Sequence, residues 1–217
     1  MKNIPRIFVG DNINTGIKIP LSRETLHYLT RVMRTRECLV FGGGNEFVAT
    51  VSDDDKNLVI GDKTPHNDPS NDITLMFSPI KHTDDLINMA TQMGVARFMP
   101  VITARTVAHH INWDRMQKIA TEAAEQSNRN SVPEILAPVK FDDLDLSDIV
   151  FADERAAHGA DVSTDFNTTK ILVGPEGGFS DDEFNALDAA GARGVSLGKT
   201  ILRAETAAVV ALAKIIK

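Results

Sequence analysis

The sequence predicts a small β-rich barrel followed by an α/β domain with a parallel sheet. Before residue 65, short apolar runs are separated by glycine-rich and acidic turns, a pattern typical of small barrels. The segment Pro65–Asp72 is polar and contains two prolines, which indicates a linker. After it, apolar runs of strand length alternate with helical spacing, as in parallel sheets covered by helices. We therefore divide the chain into residues 1–70 and 71–217.

Three strands and one helix are predicted in the first part. The strand candidates are Cys38–Phe41, Glu46–Ser52 and Asn57–Ile60. Gly42–Asn45 lies between the first two candidates and is a hairpin turn signal. A helix that starts near Ser22 would place Leu26, Leu29 and Met33 on one face.

Strands and helices alternate in the second part. The strand candidates are Ile73–Phe77, Phe98–Ile102, Ile149–Ala152, Ile171–Val173 and Ser196–Gly198. Three helices are predicted. The first has Leu86, Met89, Ala90 and Met93 on one face and ends at Gly94. The second begins at an Asn112 cap and runs through Ser127 with Trp113, Met116, Ile119 and Ala123 inward, and the third covers Ile201–Ile216. Ligands of such sheets bind at the carboxyl ends of the strands, so we expect the functional site there.

The composition excludes several classes of protein and of site. No run of eighteen apolar residues is available to cross a membrane, and the first residues lack the apolar stretch of a secretory signal. The single cysteine, Cys38, rules out an internal disulfide and fits a reducing compartment, which predicts a cytoplasmic protein; its apolar neighbours favour a buried structural role. His109 and His110 lack further ligands at suitable spacing, so no metal site is expected.

The charge distribution leaves a nucleic-acid partner open. The formal net charge is -7, but the acidic excess lies entirely after Asn71. Before it, Arg23, Arg31, Arg34 and Arg36 lie close together. Such a local basic patch can bind phosphates on an acidic protein, because salt screens the distant charges. A solvated helix face explains the same arginines equally well.

The segment from Gly174 to Phe184 combines a helix start with a glycine-rich loop. Ser180 and Glu183 have capping-box spacing, and Phe179 and Phe184 occupy the positions of a hydrophobic staple. Three glycines around a proline and a glutamate come before them, at the end of a predicted strand. Glycines allow a close approach to a ligand, so a binding loop is favoured over a plain tight turn.

Two C-terminal segments together resemble the RsmE family of ribosomal RNA uridine-N3 methyltransferases, within the SPOUT class. These segments are Gly174–Ser180 (GPEGGFS) and then Leu197–Gly198, Ile201–Arg203 (ILR) and Glu205–Ala207 (ETA). Other motifs similar to the family's are Arg6 with Phe8, His27–Arg34 (HYLTRVMR), Ala90–Thr91 with Gly94–Val95, Arg105, and Ala124–Ser127 (AEQS) with Arg129. The resemblance spans both parts of the chain.

The resemblance implies an architecture and an activity. Residues 1–70 would form a PUA-like RNA-binding β-barrel, and residues 71–217 a SPOUT α/β domain with a C-terminal deep trefoil knot. The protein would be a homodimer that uses S-adenosyl-L-methionine to methylate N3 of a uridine in 16S ribosomal RNA of the small ribosomal subunit. A related enzyme acting on transfer RNA and a non-catalytic RNA-binding module are the alternatives.

The resemblance also implies roles for individual residues. The cofactor-binding residues would be Leu172, Val173, Gly174, Pro175, Glu176, Gly177, Gly178, Ser196, Leu197, Gly198, Ile201, Leu202 and Arg203. The RNA-binding residues would be Arg6, Arg31, Arg34, Arg105, Arg129 and Lys199. We expect Arg203 to stabilise the charge that develops on the uracil, and Glu176 or Glu205 to take or relay its proton.

Five positions depart from the family's usual pattern. Lys199 and Thr200 replace a proline and an arginine, and Ala204 replaces a threonine. Met89 and Gln92 stand where a lysine and a glutamate are usual. These changes affect the expected RNA affinity more than the expected cofactor binding.

Overall fold

The chain forms two compact units in a computed structural model, which describes residues 4–68, 72–107 and 112–216. The first unit contains the residues up to Ser70 and also Thr121–Val132, and the second contains Asn71–Ala120 and Pro133–Lys217. A single division after residue 70 is therefore incomplete, because the chain returns to the first unit for twelve residues. His109, His110 and residues 69–71 of the predicted linker lie outside the described residues.

The elements are short strands and five α-helices in the described part of the chain. The strands are β1 Arg6–Phe8, β2 Lys18–Pro20, β3 Glu37–Gly42, β4 Asn45–Val51, β5 Asn57–Lys63, β6 Thr74–Phe77, β7 Arg97–Ile102, β8 Glu134–Ile135, β9 Val139–Lys140, β10 Val150–Ala152, β11 Lys170–Val173 and β12 Arg193–Val195. The helices are α1 Arg23–His27, which continues as a π-helical turn over Tyr28–Val32, α2 Thr83–Gln92, α3 Trp113–Gln126, α4 Asp181–Ala189 and α5 Ala204–Ile215. No helix within the described ranges has the length and apolar character needed to cross a membrane.

The first unit is built on a five-stranded sheet in the order β1-β3-β4-β5-β2. The predicted hairpin joins β3 to β4, and Gly43 and Gly44 turn the chain with φ values of 55° and 77°, which glycine adopts without a steric penalty. Ser22 caps α1 by accepting a hydrogen bond from the Thr25 amide at 3.0 Å, and Leu29 is fully buried, as predicted. Cys38 is buried in the core of this unit, also as predicted.

Arg6 explains why Thr121–Val132 belongs to the first unit. Its guanidinium, 8% exposed, pairs with Glu46 at 2.9 Å. It also donates to the carbonyl oxygens of Ala124 and Arg129 at 3.3 and 2.9 Å, and to Oδ1 of Asn130 at 2.7 Å. These bonds satisfy a buried cation and fix the returning segment against β1.

The second unit contains a parallel sheet in the order β12-β10-β11-β6-β7-β8, with β9 also pairing with β7. The alternation of strands and helices predicted this arrangement. Its core includes Phe151, Leu172 and Leu187, all fully buried. Gly94 ends α2 with a φ of 96°, and Asn112 caps α3 through a 3.0 Å bond to the Arg115 amide, as predicted.

Three predictions for the second unit are wrong. The last strand is Arg193–Val195 rather than Ser196–Gly198, because the Ser196 amide bonds to the Ser163 carbonyl at 2.8 Å and the chain then leaves the sheet. The last helix begins at Ala204 rather than Ile201. Trp113 does not point inward, since it lies in the first turn of α3 and is 39% exposed.

Candidate functional site

A cavity of about 250 Å³ lies where three neighbouring strands of the second unit end. Strand β10 lies between β11 and β12, and all three are parallel, so the loops that follow them meet at one edge of the sheet. The cavity is lined by Ala152, Asp153, Glu154, Ala157, Val173, Gly174, Pro175, Glu176, Gly178, Phe179, Leu197, Gly198, Thr200, Ile201, Leu202, Arg203, Ala204 and Ala207. This is the sheet edge at which ligands of open α/β folds bind.

The glycine-rich loop after β11 is fixed by the start of α4. Ser180 accepts a hydrogen bond from the Glu183 amide at 3.2 Å, and the Glu183 carboxylate accepts one from the Ser180 amide at 2.8 Å. The rings of Phe179 and Phe184 pack edge to face with 5.6 Å between their centroids. The predicted capping box and staple are therefore confirmed, and together they give the loop a defined exit.

Arg105 and Glu183 hold the glycine-rich loop from the side of β7. The Arg105 guanidinium donates to the carbonyl oxygens of Gly177 and Phe179 at 2.8 and 3.0 Å. The Glu183 carboxylate accepts a hydrogen bond from the Ala104 amide at 2.8 Å. Arg105, predicted to bind RNA, thus has a second role in the structure, which is to brace this loop.

Arg203 and Glu176 share the cavity. Arg203 is the N-cap residue of α5 rather than part of its first turn, its side chain is exposed, and the described residues offer its guanidinium no hydrogen-bond or ion-pair partner. The Glu176 carboxylate accepts a hydrogen bond from the Lys81 amide at 3.1 Å. Glu205 is not among the lining residues, so the structure brings together two of the three predicted catalytic residues.

Ten of the thirteen predicted cofactor-binding residues line the cavity. The exceptions are Leu172, Gly177 and Ser196. Leu172 is fully buried in the core beneath the site, because side chains on a strand alternate between its two faces. Leu197, Ile201 and Leu202 form apolar parts of the cavity wall. Their hydrophobicity therefore serves the cavity, although in the sequence it suggested a strand and a longer helix.

The loop after β10 was missed as part of the site. Asp153 and Glu154 follow the strand directly, and two adjacent carboxylates at a strand's carboxyl end were the available signal. The Asp153 side chain is only 2% exposed and is bound by Arg155, which donates from Nε to Oδ1 at 2.9 Å and from its terminal nitrogen to Oδ2 at 2.7 Å. A β-carbon at Gly194 would lie 2.5 Å from Oδ2 of Asp153, so only glycine fits beside this carboxylate.

Arg155 links this loop to α4. Its guanidinium also pairs with Asp188 at 2.7 Å and lies 4.4 Å from the centroid of the Phe184 ring. The hydrogen bonds that Arg155 donates to Asp188 and then to Asp153 raise the pKa of Arg155 above its usual value, so the side chain stays charged. The pKa of Asp188 is lowered by the same contact.

The arginines predicted to bind RNA differ in availability. Arg31 and Arg34 are exposed around the π-helical turn of the first unit, where Tyr28 and Val32 are also exposed. Burial lowers the pKa of Arg129, which is only partly exposed. The prediction for Arg6 needs correction, because its buried guanidinium is committed to Glu46 and to backbone oxygens instead of facing a phosphate. Lys199 is exposed.

Family models and known proteins match most of the chain. Residues 66–216 match the RNA methyltransferase domain, and residues 21–63 match the RNA methyltransferase PUA domain. The chain is 32% identical to ribosomal RNA small subunit methyltransferase E of Rickettsia conorii, over 97% of this chain and 94% of the relative. The protein of the same name from Mesomycoplasma hyopneumoniae is 30% identical over 91% and 93% of the two chains.

A solved structure is similar over the same length. The crystal structure of a ribosomal RNA small subunit methyltransferase E from Neisseria gonorrhoeae, bound to S-adenosyl methionine, has a TM-score of 0.79 to this chain and 28% sequence identity. The similarity covers 97% of this chain and 96% of that one. Both units therefore have counterparts in that protein.

Proposed function

The chain belongs to the ribosomal RNA small subunit methyltransferase E family, and we propose that it transfers a methyl group from S-adenosyl-L-methionine to N3 of a uridine in 16S ribosomal RNA of the small ribosomal subunit. The observation that carries the proposal is the cavity at the ends of β10, β11 and β12. Its glycine-rich loop and the loop before α5 contain the two most specific family motifs.

The cavity fits the cofactor. Its volume of about 250 Å³ is slightly below the range of about 300–1,000 Å³ that is usual for small-ligand sites. Val173, Leu197 and Leu202 offer apolar surface for an adenine ring, while the loop glycines let backbone amides approach it. When bound, S-adenosyl-L-methionine supplies an electrophilic methyl group on a positively charged sulfur.

Arg203 is the residue that we assign to the chemistry on the uridine. Uridine N3 carries a proton and becomes a good nucleophile only when the proton leaves, which places negative charge on the uracil. An unpaired guanidinium in the cavity wall can stabilise that charge as it develops. Glu176 is better placed than Glu205 to accept or relay the proton, since its carboxylate lines the cavity and the Lys81 amide orients it.

RNA capture is assigned to the first part of the chain. We propose that residues 1–70 act as a PUA-like RNA-binding barrel in which Arg31 and Arg34 hold phosphates, and that residues 71–217 carry out the transfer. Both arginines are exposed, beside an aromatic side chain, Tyr28, that is also partly exposed. Phosphate contacts of this kind fix the register of the RNA and weaken with salt. Lys199, which is exposed at the loop before α5, is a further candidate.

Family membership supports a proposal about assembly, the knot and location. We propose a cytoplasmic homodimer whose C-terminal segment passes through a deep trefoil knot, with no metal in the reaction. Most of the apolar surface of α5 is already covered within its own unit, where Ala208, Ala211 and Leu212 are fully buried. Light scattering at micromolar protein should give twice the chain mass of 23.7 kDa, and a single chain mass contradicts the dimer.

The activity is tested with methyl-labelled S-adenosyl-L-methionine and either 30S subunits or transfer RNA. We expect label in 16S ribosomal RNA that is recovered as 3-methyluridine after digestion. Label in transfer RNA, or none in either substrate, contradicts the proposal.

The assignment of Arg203 is tested by single-turnover rates at saturating RNA. Arg203→Ala should lower the rate about 100- to 1000-fold, the usual cost of losing a donor to a developing charge. Arg36→Ala is the matched control, since Arg36 is an exposed arginine paired with Asp55 in the first unit. An unchanged rate for Arg203→Ala would mean that the chemistry lies on another residue.

A further inference from the structure

Glu154 lies at the centre of the cavity wall. It follows β10, the strand that lies between the two strands whose loops carry the family motifs. Its exposed side chain lines the cavity between these loops. The order of the strands alone therefore places a carboxylate between the glycine-rich loop and the loop before α5.

The glycine-rich loop makes room for this carboxylate. A β-carbon at position 178 would overlap Oε1 of Glu154 and lie 2.9 Å from its Oε2. Both oxygens thus lie across the backbone of Gly178, whose φ of 67° also favours glycine. A side chain at position 178 would therefore meet the Glu154 carboxylate.

The carboxylate of Glu154 has no protein partner among the described residues. Its neighbour Asp153 is held by Arg155, and Glu176 is bonded to the Lys81 amide, whereas no side chain or amide in the described part of the chain binds the Glu154 carboxylate. A carboxylate offers two oxygens and about four lone pairs, all acceptors. It is suited to two adjacent hydroxyl donors, and in the cofactor only the ribose carries such a pair.

We propose that Glu154 binds the ribose 2′- and 3′-hydroxyls of S-adenosyl-L-methionine, and that Gly178 is required to leave space for its carboxylate. This inference rests on the proposed function, because it assumes that cofactor. An acidic side chain at the end of a parallel strand binds the ribose in the same chemical way in dinucleotide-binding folds. Glu154 is therefore assigned as a ligand of the cofactor.

Calorimetry without RNA tests the assignment. Glu154→Ala should weaken the binding of S-adenosyl-L-methionine about 10- to 100-fold, as expected for lost hydrogen bonds to a charged group. Its unfolding temperature should stay unchanged, because the residue is exposed and unpaired. The control Glu134→Ala removes an exposed glutamate from β8, which lies at the other end of the strand order from β10 and β12. It should leave the affinity for S-adenosyl-L-methionine unchanged.

Two further ligands separate the ribose from the other cofactor groups. S-adenosylhomocysteine lacks the sulfonium charge, and methylthioadenosine also lacks the amino acid, yet both keep the ribose. Glu154→Ala should weaken all three ligands by a similar factor. A loss confined to ligands with the amino acid, or to the sulfonium alone, overturns the assignment to the ribose.

Gly178→Ala tests whether glycine is needed at this position because of the Glu154 carboxylate. It should weaken binding about tenfold in the unaltered protein but much less in the Glu154→Ala background, where no carboxylate is displaced. Equal losses in both backgrounds contradict the proposed role of Gly178. Unchanged affinity of Glu154→Ala for all three ligands overturns the inference and leaves the methyltransferase function standing, whereas an unaltered protein that binds none of the ligands contradicts both.

Discussion

Replacing Arg155 with methionine should destabilise the second unit by about 3 kcal/mol. The reason is Asp153, whose side chain is 2% exposed and would be left buried without its ion-pair partner. Removing one member of a buried ion pair costs about 3–5 kcal/mol, and we expect the lower end because Arg155 itself is 36% exposed. Methionine retains an unbranched aliphatic side chain, so the loss reports the charged group, which includes its contact with the Phe184 ring, rather than a cavity.

The second carboxylate bound by Arg155 supplies the control. Asp188 is 52% exposed, and exposed pairs contribute only about 0–1 kcal/mol. Asp188→Asn should therefore cost less than about 1 kcal/mol, although the hydrogen bond to Asp188 is the largest single cause of the raised pKa of Arg155. For stability, the outcome depends on whether the substitution leaves the buried carboxylate of Asp153 without its partner.

The free energies of unfolding are measured in urea by the fluorescence of Trp113, the only tryptophan of the chain, which lies in the second unit. Arg155→Met is compared with Asp188→Asn and with the double variant Asp153→Asn/Arg155→Met. The double variant should recover most of the loss, because it removes the unpaired charge and keeps the shape. A loss for Arg155→Met as small as that for Asp188→Asn, or no recovery in the double variant, refutes the reasoning.

Three other predictions follow from the contacts of single residues. Burial raises the pKa of Cys38 to about 12, so a disulfide reagent at pH 8 should leave the thiol unmodified in folded protein and modify it in urea; rapid modification of the folded protein contradicts the burial. Arg105→Ala should weaken binding of S-adenosyl-L-methionine at least about tenfold, because it releases two loop carbonyls and even one hydrogen bond to a charged group contributes about 1.5–3 kcal/mol. Arg36→Ala should not change this binding. Burial raises the pKa of Glu125, and the hydrogen bond from the Phe8 amide offsets this shift only in part. The contribution of Glu125 to the free energy of unfolding is therefore full below its pKa in the unfolded chain, and it is lost as pH rises through its pKa in the folded protein. Glu125→Gln should therefore gain stability relative to the unaltered protein between pH 4 and pH 7, and a relative loss over that range would show the sign to be wrong.

Local patterns predicted the elements whose signals lie in a few adjacent residues. The capping box of Ser180 and Glu183 and the glycine hairpin after β3 are local, since neighbouring residues alone satisfy their hydrogen bonds. Strands β1 and β2 have three residues each, too few to show alternation, and were missed. Apolar residues of the loop before α5 were assigned to a strand and a helix because apolar character alone does not distinguish a core from a cavity wall.

The site was predictable where one loop carries it and unpredictable where several strands meet. The glycine-rich loop was predictable from its composition alone. Glu154 did not, because its place in the cavity depends on β10 lying between β11 and β12, and strand order is a property of the whole sheet. Arg6 shows the converse, since an arginine next to apolar residues gave no sign that Glu46 and a segment more than a hundred residues away would surround it.

The return of Thr121–Val132 to the first unit limits how the barrel can be inherited. A gene segment that encodes only residues 1–70 lacks Ala124, Arg129 and Asn130. In its product, the Arg6 guanidinium would lose most of the oxygen atoms that accept its hydrogen bonds. A buried cation left with Glu46 alone as a partner lowers the stability of a small domain, because its other hydrogen-bond donors lose their acceptors. Recombination therefore cannot transfer the whole barrel as one continuous segment of the gene. In lineages of this protein, the two units are expected to have been transmitted and lost together.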